Sequence, residues 1–138
     1  MSYLLDTHCW LWLQMDPDRL SKRVLGLLGD PDHERVLSVA STWEIAIKFA
    51  LGKLELPSPP SEYVPSRLQT SQTTSLPIQI VHALHVAELP SHHRDPFDRL
   101  LIAQAQVEKL TIVTADPKFA AYDVKILWAK GSGRSRAP

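Results

Sequence analysis

Short apolar runs alternate with longer helix-periodic stretches along this chain, and that alternation leaves few folds open. Tyr3-Leu4-Leu5, Arg35 to Ala40, Thr111 to Thr114 and Val124 to Trp128 read as strands, with Leu76-Pro77-Ile78 as a very short further one. Thr7 to Met15, a short stretch containing Val24, Leu25, Leu27 and Leu28, Trp43 to Leu51, Gln79 to Leu89 and Phe97 to Lys109 read as helices. Leu56 to Pro65 holds four prolines and reads as a loop or spacer, followed by Ser66 to Ser75 as an exposed polar helix. Strand and helix in alternation give a mostly parallel sheet with helices on both faces.

The punctuation agrees with this division. Ser21 and Ser41-Thr42 stand where helix N-caps are needed, and Asp95-Pro96 supplies an N-cap followed by proline at the first helical position. Gly29 to Asp32 reads as a turn, Gly52 as the glycine that ends a helix, and Asp116-Pro117 as the start of a short helix or turn.

In such sheets ligands bind outside the carboxyl ends of the strands. Asp6 and Asp116 lie just past strand ends, and Glu44 and Asp98 are expected in the first turns of helices that start on the same edge. Singly, each acid has a structural explanation: a cap for Asp6 and Asp116, a capping-box acid for Asp98, and an i,i+4 partner of Lys48 for Glu44. Together they pose an electrostatic problem. Two unit charges about 4 Å apart interact by roughly 4 kcal/mol at an effective dielectric near 20. A cation resolves it, so the pattern points to a Mg²⁺ or Mn²⁺ site that hydrolyses a phosphodiester. Asp6 and Asp98 are the first choices as direct ligands, with Glu44 and Asp116 ligating directly or through water. Thr7 and Thr114 flank the acids as supporting groups, either positioning water or capping helices. Asp95 is explained as a cap by its place before Pro96 and is carried as a supporting residue. Lys48, Arg94 and Arg99 are the nearest cations in sequence, and Lys48 and Arg99 are carried as supporting residues.

Other chemistries find little support. His92-His93 are adjacent, point in different directions and lack spaced partners, so zinc is not expected, although His93 and Arg94 lie where a phosphate at the rim would pass. No G-x-G-x-x-G or Walker-type loop and no G-x-S-x-G elbow occurs. The four tryptophans, Trp10, Trp12, Trp43 and Trp128, suit core or dimer packing more than base stacking.

The 138 residues fit one domain over 1–130, with 131–138 expected to be a disordered tail whose native origin is open. Fifteen basic and fifteen acidic residues give zero net charge, which argues against a generally basic nucleic-acid coat but allows a metal-centred site. Cys9 is the single cysteine, so no internal disulfide forms, and a reducing cytoplasmic setting without signal peptide or membrane span is expected.

Leu5-Asp6-Thr7-His8, Ser41 to Lys48, His93 to Ala103 and Thr114-Ala115-Asp116 together resemble the PIN-domain proteins, most closely the VapC-type toxins of toxin–antitoxin pairs. The resemblance runs from Tyr3 to about Trp128. It implies a three-layer α/β/α sandwich around a mostly parallel sheet, catalytic acids at Asp6, Glu44, Asp98 and Asp116, and a supporting hydroxyl at Thr114. It further implies a Mg²⁺- or Mn²⁺-dependent ribonuclease, a homodimer, and a cognate antitoxin whose C-terminal segment enters the active-site groove. A metal-dependent phosphohydrolase on small molecules and a non-catalytic binding module remain as alternatives.

Overall fold

The computed structural model describes residues 1–92 and 94–130. His93 and the 131–138 tail lie outside the described residues.

Five parallel strands form one sheet: β1 (Ser2–Leu5), β2 (Glu34–Ser38), β3 (Thr73–Leu76), β4 (Thr111–Thr114) and β5 (Ile126–Trp128). Their order is β3-β2-β1-β4-β5, which puts β1 in the middle. Six helices connect them: α1 (Thr7–Met15), α2 (Lys22–Gly29), α3 (Val39–Ala50), α4 (Pro60–Thr70), α5 (Ile80–His85) and α6 (Pro96–Glu108). Successive strand residues face opposite sides of the sheet. Leu5, Leu37 and Val113 therefore join one core with Trp10, Val24, Leu28 and Ile45, while Leu4, Val36 and Ile112 join the other with Leu101, Ile102 and Phe119. Two cores on one sheet make the three layers. Full burial of a leucine or isoleucine such as Leu4, Leu37 or Ile112 is worth roughly 1.5–3 kcal/mol.

Several boundaries differ from the sequence reading. β2 stops at Ser38, and its hydroxyl accepts the Ala40 N–H at 3.0 Å, so α3 starts at Val39 and not after a Ser41-Thr42 cap. Glu44 is consequently in the second turn of α3, not the first. The proline-rich stretch is half helix: Pro60 opens α4, and Pro65 sits inside it. A proline at the first position costs no hydrogen bond, and burial of Tyr63 and Val64 offsets the bond lost at Pro65. The short strand lies at Thr73–Leu76, ahead of Leu76-Pro77-Ile78, because Pro77 has no N–H to offer the ladder. β5 begins at Ile126, two residues later than expected. Gly52 ends α3 as anticipated, with φ +72° and a Schellman pair of bonds, Gly52 N–H to Phe49 O and Lys53 N–H to Lys48 O.

The tryptophans divide. Trp10 is fully buried and donates to Thr73 Oγ1 at 3.3 Å, whereas Trp43 is 58% exposed and stands edge-to-face with Phe97. Among the described residues no helix is long and apolar enough to cross a membrane.

Candidate active site

The central strand carries the chain straight into the site. β1 ends at Leu5, the Asp6 N–H pairs with Val113 O across the sheet, and Asp6 caps α1. Its Oδ1 accepts the Cys9 N–H at 2.7 Å and its Oδ2 accepts the Thr114 hydroxyl at 2.6 Å. The same Thr114 oxygen accepts the Asp116 N–H at 3.0 Å, so one hydroxyl ties the ends of β1 and β4 together and turns the chain toward Asp116. Asp116 caps the 3-10 turn Pro117–Ala121 through the Lys118 N–H.

Two helices complete the edge. Asp95 caps α6, its Oδ1 accepting from Phe97 N and Asp98 N, which places Asp98 in the first turn. From α3 comes Glu44, 7% exposed, with Oε1 accepting the Thr7 hydroxyl at 2.6 Å and Oε2 paired with Lys48 Nζ at 2.8 Å. Thr7 Oγ1 also contacts Ser41 Oγ at 2.9 Å. The result is one cavity of about 170 Å³, lined by Asp6, Thr7, His8, Glu44, Lys48, Asp95, Asp98, Asp116, Lys118 and Phe119. The sheet thus draws together four acids spread over more than a hundred residues of sequence.

Electrostatics mark the cavity as charged beyond what it neutralises itself. Burial pushes the Asp98 carboxyl up to about 7, and Asp95, Glu44, Asp6 and Asp116 push it the same way. Asp6 is also raised by burial, against the opposing bonds from Thr114 and Cys9. All the other acids that line the cavity bear on Asp98, so they act in one field.

The donors are carboxylates and hydroxyls, all hard oxygens, and that set suits Mg²⁺ or Mn²⁺ and not a thiolate-selecting metal. Among the described residues, no three His, Cys, Asp or Glu side chains close into a coordination shell on their own. Glu44 is turned onto Thr7 and Lys48.

Of the supporting residues read from the sequence, Thr7, Lys48 and Asp95 line the cavity and Thr114 holds Asp6 from behind. Arg99 faces elsewhere: its guanidinium donates to the carbonyls of Pro90, Val86 and Leu89 and to the Tyr122 hydroxyl. Arg94 is exposed and does not line the cavity. Lys118 and Ser41 were missed. Lys118 follows Asp116-Pro117, so the turn that presents the acid also presents the lysine. Ser41, expected as a cap, lies inside the first turn of α3 and meets Thr7 instead.

The PIN domain profile matches residues 3–125. Ribonuclease VapC16 of Mycobacterium tuberculosis (strain ATCC 25618 / H37Rv) is 41% identical over 59 residues, covering 43% of this chain and 42% of that protein's length. Two solved structures are alike in fold. VapBC2 from Rickettsia felis, bound to a DNA fragment from their promoter, matches with TM-score 0.68 and 18% identity over 92% of this chain and 98% of that one. A toxin–antitoxin complex from Klebsiella pneumoniae matches with TM-score 0.63 and 16% identity over 94% and 99%. With the profile spanning nearly the whole described chain on a parallel sheet of this order, the protein belongs to the PIN domain family.

Proposed function

We propose that this protein is a Mg²⁺- or Mn²⁺-dependent endoribonuclease and the toxin of a toxin–antitoxin pair. The observation that carries the nuclease reading is the convergence of Asp6, Glu44, Asp98 and Asp116 on one cavity. The similarity to a VapC ribonuclease and to VapBC complexes supports the toxin role.

Asp6 and Asp98 would hold the cation directly, and Glu44 and Asp116 directly or through water. A bound divalent ion would supply charge neutralisation for these acids and Lewis-acid activation of water and the leaving oxygen. The protein's own work is positional. Thr114 and the Cys9 N–H fix both oxygens of Asp6, and the Asp95 cap fixes the first turn that carries Asp98. Lys48 and Lys118 bring positive charge to the mouth of an acidic site, which favours entry of an RNA backbone. A single-stranded or looped segment suits this cavity, because such segments expose their backbone. The antitoxin is read as the protein that silences the site, and the cytoplasm as the place where toxin, antitoxin and RNA meet.

A homodimer is part of the reading. Ile80, Val81 and Leu84 of α5 are 79%, 51% and 68% exposed, and Val39 and Trp43 are exposed one helical turn apart on α3. Ser38 and Leu76 pair across β2 and β3, so the segments leading into α3 and α5 start side by side. From Leu76 to Pro90 the only Asp, Glu, Lys or Arg is Glu88. An apolar, nearly uncharged face suits self-association under two-fold symmetry and not a phosphate backbone. Leu84→Asp is expected to shift the light-scattering mass from dimer to monomer while RNA cleavage persists, and an unchanged mass would place the interface elsewhere.

The test of activity is a single-stranded RNA oligonucleotide incubated with Mg²⁺ or Mn²⁺ beside a phosphomonoester. Cleavage of RNA alone, stopped by chelator, supports the proposal; turnover of only the monoester would replace the substrate class. Induced expression without a partner should arrest growth, and an Asp6→Ala variant should not.

A further inference from the structure

Glu44 is ion-paired along its own helix, to Lys48 one turn further on. The oxygens of Asp6 are engaged by neutral donors, the Cys9 N–H and the Thr114 hydroxyl, which leave its charge in place. Glu44 instead has Oε1 on the Thr7 hydroxyl and Oε2 on an ammonium, Lys48 Nζ, at 2.8 Å. The pair is asymmetric. Glu44 is buried, whereas 39% of the Lys48 side chain is exposed, on a long stem one turn further along α3. A carboxylate held at both ends cannot turn to a cation without giving up one of these bonds.

We propose that Lys48 is a built-in counter-ion that holds Glu44 away from the divalent cation and sets the affinity of the site. This rests on the metal-nuclease reading. In it, Asp6, Asp98 and Asp116 form the cation's own acid set, and Glu44 acts from beyond them while Lys48 stays in place. The partly exposed side chain of Lys48 and its flexible stem make it the mobile partner. A phosphodiester entering the cavity offers that ammonium an alternative anion, so RNA binding and the release of Glu44 are coupled. Lys48 is a positioning residue acting through Glu44. Lys118 lines the same cavity without a carboxylate partner among the described ion pairs, and serves as the control for charge alone.

The experiment measures Mn²⁺ binding to the metal-free protein by calorimetry and by loss of the free-ion electron paramagnetic resonance signal. Lys48→Met should bind Mn²⁺ at least about tenfold more tightly than wild type, whereas Lys48→Arg, which keeps the ion pair, should stay within about threefold. Lys48→Gln repeats the charge removal with a polar chain, should the Met variant fail to fold. The gain should vanish in a Glu44→Gln background and should be absent in Lys118→Met. Wild-type binding with no gain in Lys48→Met or Lys48→Gln overturns the counter-ion role and leaves the metal site standing. A gain that persists without the Glu44 charge, or appears equally in Lys118→Met, shows a general charge effect and also overturns it. Wild type that takes up no Mn²⁺ overturns the metal reading itself, and the proposal with it.

Discussion

β2 holds opposite charges near its two ends, and it holds them in opposite ways. At its start, the guanidinium of Arg35 donates to four backbone carbonyls, those of Leu28, His33, Ser71 and Gln72, at 2.7 to 3.2 Å. Two of these close the C-terminal ends of α2 and α4, where carbonyls are unpaired and the helix dipole favours a cation. The chain supplies everything this charge requires. Past the strand's other end, Asp98 is pushed up to about 7 by burial and by four neighbouring acids. Four like charges bear on it there. A charge that the backbone satisfies holds the fold together; carboxylates gathered in one cavity fit the cation site proposed above. Arg99 shows that the distinction is not one of location, because it starts beside Asp98 yet follows the Arg35 pattern.

The largest effects test the two ends directly. Asp98→Asn keeps the shape and removes one charge. Cleavage of the RNA oligonucleotide should fall by about 1,000-fold or more, the scale of several kcal/mol of transition-state stabilisation. In metal-free buffer its melting temperature should hold or rise, because the change relieves repulsion. An active Asp98→Asn enzyme would break the comparison on the functional side. Arg35→Ala should do the reverse. It strips a half-buried cluster of carbonyls of its donor and should cost about 2–4 kcal/mol in urea unfolding, with cleavage per folded molecule unchanged. A loss near zero would show that water serves those carbonyls equally well.

A smaller effect sharpens the boundary between holding and reacting. Thr114 lies behind Asp6 and ties it to Asp116. Thr114→Val keeps the volume of a buried strand residue and removes the hydroxyl. Cleavage should fall about 10- to 100-fold, as for the loss of an outer partner of a metal ligand. Thr114→Ser should recover most of the rate, since it restores the hydrogen bond. A Val variant at full rate would mean that the Cys9 N–H alone orients Asp6.

Much of this arrangement was legible in the sequence, because its signals are local. Apolar runs of three to six residues marked four of the five strands, and the caps Ser21 and Asp95-Pro96 marked helix starts within a residue, whereas Ser41-Thr42 put the start of α3 too late. The edge on which the acids gather followed from the rule that parallel sheets bind ligands beyond their strand ends. What escaped depends on contacts between distant residues. Thr73–Leu76 is polar and earns its place as a strand only by pairing with β2, and α4 tolerates Pro65 because Tyr63 and Val64 find a core. The cations were the least legible. Lys48, Arg94, Arg99 and Lys118 all lie within a few residues of an acid in sequence, yet only Lys48 and Lys118 line the cavity. Side-chain direction, not proximity along the chain, decides that, and no propensity encodes it.

The smallest expected effect reads the crowding of the acids without any substrate. In the unfolded chain Asp98 titrates near the ordinary aspartate value of 3.8, and in the folded, metal-free protein near 7. Between those values the folded state binds a proton that the unfolded state has released. Stability contributed by neutral Asp98 is therefore complete below the lower value and is lost as pH rises toward the upper one. Metal-free protein should thus unfold at progressively lower urea across that window as pH rises, and Asp98→Asn should flatten the slope. Added Mn²⁺ should flatten it as well, because a bound cation favours the ionised acids and takes the proton's place. Arg35, caged by carbonyls and charged throughout, contributes no slope there, so an Arg35→Ala protein should lose stability by the same amount at each pH. If Asp98→Asn leaves the wild-type slope intact, the acids do not share a field, and the contrast between the two ends of β2 loses its electrostatic basis.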